Sequence, residues 1–431
     1  MESKKIKHVT IKNLWGVKTI STDFNKDVNI FIGVNGSSKT TFLNLIEATL
    51  LVDVNMFSNI EFESIKIDFI SSDLHNIETI VVLKKITEDM TTICYSFNDE
   101  TVIEIPCNDI LIQRSYRIPI KYRESLLLIK ERLNNIVNIS WLSINRDNIN
   151  PIEYERRDLI ERFKNMVDIK LQELVHLLIM YHLQLESEAN KIADKFKEEV
   201  LSLMLYNEKI DLYSPDIINR FQEVNTKQMQ SDLYRAFSGL GVARDKSELI
   251  KSHIESINNV IDKINKDDNI ELKDVFILSL ISRTFSIIQI SKEHESQKNE
   301  VFSPIENFWK YLKGFMPTKQ FTINKEGRGD IDITLKENSN SSSINITSLS
   351  SGEKQLFILL TEALLQKNKP YLFIADEPEL SLHIGWQKQI LKELLNLNSN
   401  AQIIVATHSP EVAGSFPEHV INMQNIISYA K

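Results

Sequence analysis

Residues 28–43, with the sequence VNIFIGVNGSSKTTFL, decide the fold that this chain is expected to adopt. The apolar run from Val28 to Ile32 predicts a short buried strand that ends at Gly33. The apolar positions from Thr40 to Leu51 predict a buried helix. The small residues between them let backbone N–H groups converge on phosphate oxygens, and a helix N-terminus favours negative charge. The order of strand, loop and helix therefore predicts a phosphate-binding loop at residues 33–40.

The polar residues of this loop are candidates for nucleotide binding. Lys39 is expected to reach the β- and γ-phosphates, and the Thr40 hydroxyl is expected to bind Mg²⁺. Ser38 departs from the glycine that is usual before the lysine, so a slightly altered loop geometry is expected. The candidate nucleotide-binding residues of this segment are Asn35, Gly36, Ser37, Ser38, Lys39, Thr40 and Thr41.

The second motif is an apolar strand that ends in two acids, at residues 371–378 (YLFIADEP). Such a strand places carboxylates at the C-terminal edge of a parallel sheet, where α/β proteins bind ligands. Asp376 is expected to hold Mg²⁺ through its water shell. Glu377 is expected to orient and deprotonate the attacking water.

The third motif is the run LSSGEKQ at residues 349–355, which precedes an apolar helix. Serines at a helix N-terminus are ordinary caps, so the run alone favours a structural role. It lies shortly before the acidic strand end, and in that position it resembles the signature motif of ABC-type ATPases. There, serine and glycine N–H groups contact the γ-phosphate held by a partner subunit. The resemblance implies a head-to-head dimer with composite sites, and it implies nucleotide contacts from Ser350, Ser351, Gly352 and Glu353.

The fourth motif is the buried-type strand QIIVATHSP at residues 402–410, which ends at His408. A lone histidine is usually structural, but one that ends the strand after an acidic pair fits a switch histidine that senses the γ-phosphate. Gln113 and Arg146 are weaker candidates for residues that line the site. For Gln113, an exposed structural role is at least as good an explanation.

Alternation of β-branched and aromatic residues between about Ile60 and Ile110 predicts an antiparallel sheet beside the nucleotide core. From about Pro151 to Met316 the apolar residues recur at helical spacing, which predicts an inserted helical domain. The strand and helix alternation then resumes. We therefore expect three segments, namely residues 1–150, 151–316 and 317–431.

Composition limits the class of protein. With 431 residues, 42% hydrophobic and 25% charged, the chain is long enough for two lobes with sizeable cores. The formal net charge of -9 argues against a surface that coats nucleic acid broadly. Two cysteines without metal-ligand spacing, no signal-peptide pattern and apolar runs interrupted by charge predict a cytoplasmic protein without a membrane span.

Together the four motifs resemble the ATPase of OLD-family and related anti-phage proteins. The most diagnostic pieces are residues 376–383 (DEPELSLH) and residues 407–410 (THSP). Ile384 departs from the proline that often follows in that family. The resemblance covers residues 1–150 and 317–431, and it implies an α/β, ABC-type (SMC-like) P-loop ATPase head with an antiparallel β-lobe and an inserted helical domain.

OLD nucleases continue past the switch histidine into a TOPRIM nuclease domain, whereas this chain ends soon after His408, so that domain is not expected in it. A separate head with a short helical insertion is similar to AriA, the ATPase subunit of PARIS anti-phage systems. The resemblance implies ATP and Mg²⁺ as cofactors, with Glu377, His408 and Lys39 as catalytic residues. It also implies a separate TOPRIM nuclease partner, held by a dimer or larger oligomer and released by a phage-encoded trigger protein.

Other functions stay open at this point. Septu- and retron-associated ATPases share the same heads. A DNA-repair head like RecF or SMC proteins would need a basic groove and salt-dependent DNA binding, and the acidic charge balance leans against it. The motor of a membrane transporter is disfavoured by the helical insertion and by the DEPELSLH run.

Overall fold

The computed structural model describes residues 4–71, 76–87, 90–98, 101–106, 120–137, 139–142, 166–205, 225–242, 246–266, 269, 271–323, 331–335 and 343–429. The chain divides into two compact units. Unit 1 comprises Met1–Ile179 and Asn307–Lys431, and unit 2 comprises Met180–Glu306. The boundaries between the units fall within two long helices.

The described strands, in chain order, are Lys5–Leu14 (β1), Lys18–Asp23 (β2), Val28–Ile32 (β3), Ser64–Ile70 (β4), Ile77–Ile86 (β5), Thr91–Phe97 (β6), Thr101–Pro106 (β7), Ile139–Leu142 (β8), Lys319–Ile323 (β9), Ile331–Leu335 (β10), Ser343–Asn345 (β11), Leu372–Asp376 (β12), Gln402–Ala406 (β13), Val420–Asn422 (β14) and Ile427–Tyr429 (β15).

The described α-helices are Lys39–Leu51 (α1), Val54–Asn59 (α2), Ile120–Ile136 (α3), Met166–Ser202 (α4), Thr226–Gly239 (α5), Ser247–Asn265 (α6), Leu272–Phe315 (α7), Ser351–Leu365 (α8), Ile384–Gln387 (α9), Ile390–Leu397 (α10), Pro410–Gly414 (α11) and Met423–Ile426 (α12).

A parallel sheet in the order β14-β3-β13-β12-β8 forms the centre of unit 1. Its inner strands are almost continuously buried, as expected for strands covered on both faces. β13 lies between β3 and β12, with Val28 opposite Ile403 and Leu372 opposite Gln402. The carboxyl ends of these three strands therefore meet at one edge of the sheet, which places the loop after each strand at that edge.

An antiparallel sheet in the order β15-β2-β1-β4-β5-β6-β7 lies in the same unit. Its strands alternate between buried and accessible residues, which is typical of a sheet with one face on the core. The antiparallel sheet predicted for residues 60–110 is confirmed by β4 to β7. The C-terminal strand β15 is the edge strand next to β2, with Tyr429 opposite Lys18.

A third sheet, in the order β11-β10-β9, accompanies helix α8. The ring of Phe357 on α8 packs against Phe308 at 5.9 Å and against Phe321 at 6.2 Å between ring centroids. Two ion pairs join the start of α4 to α8, from Lys354 to Asp168 and from Lys170 to Glu362. Helix α8 is thus held along its length by aromatic packing and by charge.

Unit 2 is helical in its described part, and it contains α5, α6 and portions of α4 and α7. Its core is formed by apolar side chains of α5, α6 and α7, among them Leu233, Ile254, Ile257 and Ile281. The α/β class with an antiparallel sheet and a helical insertion is confirmed. Unit 2 lies inside the predicted insertion of residues 151–316, but residues 143–165 are outside the described part, so the first boundary stays a prediction.

Helix α7 differs from the expectation that the apolar runs are too short and too charged to span a membrane. Among the described residues it is the one helix long and apolar enough to do so, judged by length and composition. About 29% of its most apolar stretch is buried inside the protein. A single helix of this kind is weak evidence for a membrane span, since helices of soluble proteins pass the same test. The expectation that every apolar run is too short or too charged to span a membrane is therefore not met by α7.

Candidate functional site

The loop after β3 has a backbone suited to wrapping an anion. Gly36 has φ 79° and Ser38 has φ 70°, and Ser38 is the N-cap of α1. A Cβ atom on Gly33 would lie 2.7 Å from the Ser37 hydroxyl oxygen, so a side chain does not fit there without a shift. The Ser37 hydroxyl itself is buried and has no hydrogen-bond partner in the described part of the chain. The loop therefore leaves a hydroxyl and a helix N-terminus free for a ligand.

Lys39 folds back over this loop. Its ammonium donates to the Gly33 carbonyl at 2.8 Å and lies 3.5 Å from the Val34 carbonyl, and the residue is only 5% exposed. Burial lowers the pKa of Lys39, and the nearby carboxylates of Asp376 and Glu377 oppose that shift. The hydrogen bonds of this buried ammonium go to neutral carbonyl groups, which suits a residue that binds an anionic ligand.

Asp376 ends strand β12 beside α1. Burial raises the pKa of this carboxyl, Glu377 adds to the effect, and a hydrogen bond with Thr40 opposes it. Its Oδ1 atom is buried without a hydrogen-bond partner among the described residues. One unpartnered carboxylate oxygen next to a threonine hydroxyl is a donor set of hard oxygens, which Mg²⁺ prefers. The pair Thr40 and Asp376 therefore fits the predicted metal site.

Glu377 and His408 lie next to each other at the ends of β12 and β13. Glu377 has φ 49°, and its N–H donates to the Ala406 carbonyl at 2.8 Å. The His408 Nε2 atom lies 3.7 Å from Glu377 Oε1, and both side chains are partly exposed, at 40% and 36%. A positive φ at a non-glycine residue is strained and is found preferentially at functional sites. The turn thus holds a carboxylate and an imidazole at the accessible rim of the site.

Glu379 lies within the diagnostic run 376–383, and the structure gives it a place in the site that the sequence did not predict. It is 7% exposed, and its Oε1 accepts hydrogen bonds from the Thr407 hydroxyl and from the His408 N–H at 3.3 Å. Its other oxygen, Oε2, is buried and has no partner in the described part of the chain. The Thr407 hydroxyl in turn accepts from the Ser409 N–H at 2.8 Å. Glu379 therefore fixes the backbone that carries His408.

The run at residues 350–353 forms the first turn of α8. Ser350 and Glu353 make a reciprocal capping box, with Ser350 N–H donating to the Glu353 carboxylate at 3.0 Å. The Glu353 carboxylate also forms an ion pair with Lys319. Burial alone would raise the pKa of Glu353, but hydrogen bonds from Lys319 and Ser350 outweigh it and lower the pKa. In this chain Glu353 serves the helix end, and its predicted nucleotide contact stays a prediction.

Gly352 connects this helix end to the acidic segment. A Cβ atom on Gly352 would lie 2.2 Å from the Ser381 carbonyl oxygen, so only glycine lets the two backbones approach so closely. Gln355, one turn later, donates to the Pro378 carbonyl at 2.9 Å. The turn that follows Glu377 is thus packed directly against the N-terminus of α8.

The structure brings some of the predicted residues together and leaves others apart. Lys39, Thr40, Asp376, Glu377 and His408 interact with one another at the edge of the parallel sheet. Asn35 and Gly36 are exposed at the loop tip, and Thr41 is half-buried on α1. Ser350 and Ser351 are exposed at α8, and among the described residues neither forms a hydrogen bond with the phosphate loop. Gln113 and Arg146 lie outside the described residues.

The same chain matches known proteins over most of its length. A family model described as "AAA ATPase domain" matches residues 5–413. The chain is 32% identical over 126 residues to the "Retron Ec83 probable ATPase" of Escherichia coli, a match that covers 27% of this chain and 22% of that protein. It is 24% identical over 291 residues to the "Retron Vc95 probable ATPase" of Vibrio cholerae serotype O1 biovar El Tor, covering 62% and 55%.

The chain thus spans about half, or less, of the length of these curated relatives. Among solved structures it is similar to the Smc head domain of Pyrococcus furiosus, which carries an extended coiled coil and is bound to the C-terminal domain of ScpA. The TM-score is 0.43 with 16% identity, and the match covers 99% of this chain and 96% of that one.

Proposed function

This chain belongs to the AAA ATPase domain family, and we propose that it is the ATP-dependent sensor and scaffold subunit of an anti-phage defence system. The enzyme class predicted from the sequence, an ATPase, is confirmed by the family. The predicted fold, an ABC-type P-loop head with an antiparallel β-lobe and a helical insertion, is confirmed as well. The observation that carries the ATP-dependent part of the proposal is the cluster of Lys39, Thr40, Asp376, Glu377 and His408 at one sheet edge.

Nucleotide binding follows from the phosphate loop. The N–H groups at the start of α1 and the ammonium of Lys39 neutralise the charge of the phosphate chain. Asn35 to Thr41 line this path. Thr40 and Asp376 would hold Mg²⁺, which supplies charge neutralisation at the β- and γ-phosphate oxygens when bound.

Hydrolysis is assigned to the two groups at the rim. Glu377 accepts a proton from the attacking water and orients it, because its carboxylate lies one residue beyond the metal-binding Asp376. The His408 ring, 3.7 Å from Glu377, orients that carboxylate and the γ-phosphate. Glu379 keeps His408 in place through the hydrogen bond to its backbone.

A head-to-head dimer completes the site in this proposal. Ser350, Ser351 and Gly352 would contact the γ-phosphate bound by a second copy of the chain. The exposure of both serines on the first turn of α8 supports this, since Ser351 is not used in capping its own helix. The dimer, and any larger oligomer, would be stabilised by ATP.

The defence role is supported by the two retron ATPases among the relatives. They favour a retron-type system among the rivals, while assignment to a PARIS system stays a prediction. In either case the ATPase would hold a separate effector, predicted to be a TOPRIM nuclease, until a phage protein triggers its release. The proposed location is the cytoplasm.

The test compares wild type with Lys39→Ala and Glu377→Gln in cells that carry the chain and its genomic neighbours. We expect both variants to lose protection against phage, and we expect purified Glu377→Gln to bind ATP without hydrolysing it. Co-purification of a nuclease with wild type in an ATP-stabilised complex would support the sensor role. Protection that is unchanged in both variants, or DNA binding by a simple dimer without a partner, would contradict it.

A further inference from the structure

Lys18 lies on the face of strand β2 that packs against the protein core, where a charged residue is unusual. Strand β2 alternates, so that Lys18, Ile20 and Thr22 point to the core side of the antiparallel sheet, and Ile20 and Thr22 are buried. Across the sheet, Lys18 stands opposite Leu14, which is fully buried. Apolar residues usually occupy such positions, so the presence of a charged residue here calls for a physical explanation.

The ammonium of Lys18 reaches the phosphate loop. It donates a hydrogen bond to the Ser38 hydroxyl at 3.2 Å, and Ser38 is the N-cap of α1. In the part of the chain that the structure describes, this hydroxyl is the side-chain partner of Lys18, and no carboxylate forms an ion pair with it. Its acceptor is a neutral hydroxyl group, which is the weaker kind of partner for a charged donor.

This position is electrostatically unfavourable for a cation in the protein alone. A helix N-terminus carries about half a positive elementary charge, which repels an ammonium group. The ammonium of Lys39, the residue after Ser38, adds a second positive charge on the same turn. The carboxylates of Asp376 and Glu377 act on Lys39, whereas the hydrogen bond of Lys18 goes to the neutral hydroxyl of Ser38. Lys18 and Lys39 both contact the loop that precedes α1, and a polyanion bound at this loop would offset the repulsion between these positive charges and the helix N-terminus.

We propose that Lys18 is a second phosphate-binding cation of the nucleotide site, contacting the α- or β-phosphate of ATP and ADP. The inference rests on the proposed ATP binding at this loop. The α- and β-phosphates are the relevant groups because the loop backbone around Ser38 encloses them, whereas Lys39 extends toward the γ-phosphate. Ser38 holds the Lys18 side chain over the loop, which gives a function to the residue that departs from glycine.

The experiment measures ATP and ADP affinity by isothermal titration calorimetry for wild type, Lys18→Gln and Lys18→Arg. Lys12→Gln is the matched control, because Lys12 is an exposed lysine on the neighbouring strand. We expect Lys18→Gln to weaken both nucleotides about tenfold, as loss of one charge-assisted hydrogen bond predicts. Lys18→Arg should stay within about threefold of wild type, and Lys12→Gln should match wild type.

A structural role is separated from phosphate binding by two further readouts. Without nucleotide, Lys18→Gln should unfold at the same temperature as wild type or slightly above it, because a repelled cation is removed. In a Ser38→Gly background, Lys18→Gln should still weaken ADP binding, because its partner is the phosphate and not the hydroxyl. A lower unfolding temperature with unchanged affinities, or no effect in the Ser38→Gly background, would overturn the inference.

The inference and the proposed function fail in different ways. If wild type binds neither ATP nor ADP, or if Lys39→Ala binds them as wild type does, the assignment of the whole site is wrong. If Lys39→Ala abolishes binding while Lys18→Gln leaves both affinities unchanged, only the role of Lys18 is wrong.

Discussion

Lys39 is held by the carbonyl groups of Gly33 and Val34, neither of which carries a charge. Replacing it by alanine removes a cation that burial already disfavours, so the fold should tolerate Lys39→Ala. The same change removes the main counter-charge for the phosphates. We expect ATP affinity to fall by at least about a hundredfold, since a charged hydrogen bond and a nearby cation are lost together. Calorimetric titration checks this, with an unchanged circular dichroism spectrum as the control for folding.

Glu379 offers a second prediction for single residues. Glu379→Ala removes the acceptor for the Thr407 hydroxyl and for the His408 N–H, so the histidine loses its anchor. We expect kcat to fall about tenfold or more with little change in KM, because orientation of the reacting groups suffers and phosphate binding does not. Steady-state kinetics measures the split. An equal rise in KM would show that Glu379 supports nucleotide binding instead.

Glu47 on α1 gives a prediction about pH. Burial, with a contribution from Asp53, raises its pKa from 4.5 to about 8. Between those values the folded chain binds more protons than the unfolded chain, so the stability contributed here falls as pH rises. Glu47→Gln removes the titrating group. The unfolding temperature of Glu47→Gln, relative to that of wild type, should therefore increase as pH rises from about 5 to about 9. Glu131→Gln, at an exposed site, should show no such trend.

Site residues that belong to a sequence motif could be predicted. Site residues whose role depends on tertiary contacts could not. Asp376 ends strand β12, and Lys39 and His408 lie in the segments that follow β3 and β13, so all three residues belong to motifs that the sequence shows. Glu379 was missed because its partners, Thr407 and the His408 backbone, are distant in sequence and gave no periodic signal. Lys18 was missed because one lysine in a strand is usually a solvated residue.

At the scale of elements, the N-terminus of α8 packs closely against the turn that follows β12. Gly352→Ala must move either α8 or the Ser381 carbonyl, because the added atom would be 2.2 Å from that oxygen. We expect a loss of about 1 to 3 kcal/mol in the free energy of unfolding, as for other overpacked sites, together with reduced ATPase activity.

The matched control for this change is Gly414→Ala on α11. A Cβ atom there meets no atom within 4 Å, so the substitution should be neutral or slightly stabilising. Chemical denaturation and ATPase assays on both variants test the pair. Equal effects of the two substitutions would show that the contact at Ser381 is unimportant.

The elements themselves were largely predictable from hydrophobic periodicity. Strands β1 to β7, the loop before α1 and the parallel strands β12 and β13 follow from alternation or from continuous apolar runs. The position of β13 between β3 and β12 was not predictable, because strand order depends on packing across the sheet. The helical spacing predicted a helical insertion, but it did not give the bounds of single helices, so the lengths of α4 and α7, 37 and 44 residues, were not predicted.

At the scale of the whole molecule, the proposed dimer makes a prediction about Ser351. This residue is exposed, and the cap of α8 is supplied by Ser350 and Glu353. Ser351→Arg should therefore leave folding and ATP affinity of the single chain intact. It should prevent ATP-dependent dimers, since a bulky cation would occupy the interface, and ATPase activity should fall about a hundredfold as the composite site is lost.

Size-exclusion chromatography with light scattering, with and without ATP, measures the dimer. Glu377→Gln serves as the positive control, because blocked hydrolysis should accumulate it. A Ser351→Arg protein that still dimerises and hydrolyses ATP would contradict the interface at α8.

The division of the parallel sheet between the two ends of the chain has a consequence for biosynthesis. Strand β3 pairs with β13 and β14, and Ile403 follows its partner Val28 by 375 positions (403 minus 28). At translation rates of about 5 to 20 residues per second, the apolar strand would wait about 20 to 75 seconds for its neighbours. During that time it would be exposed to association with other nascent chains. We therefore expect the yield of folded protein to depend on chaperones and to rise at lower temperature, where hydrophobic association between nascent chains is weaker.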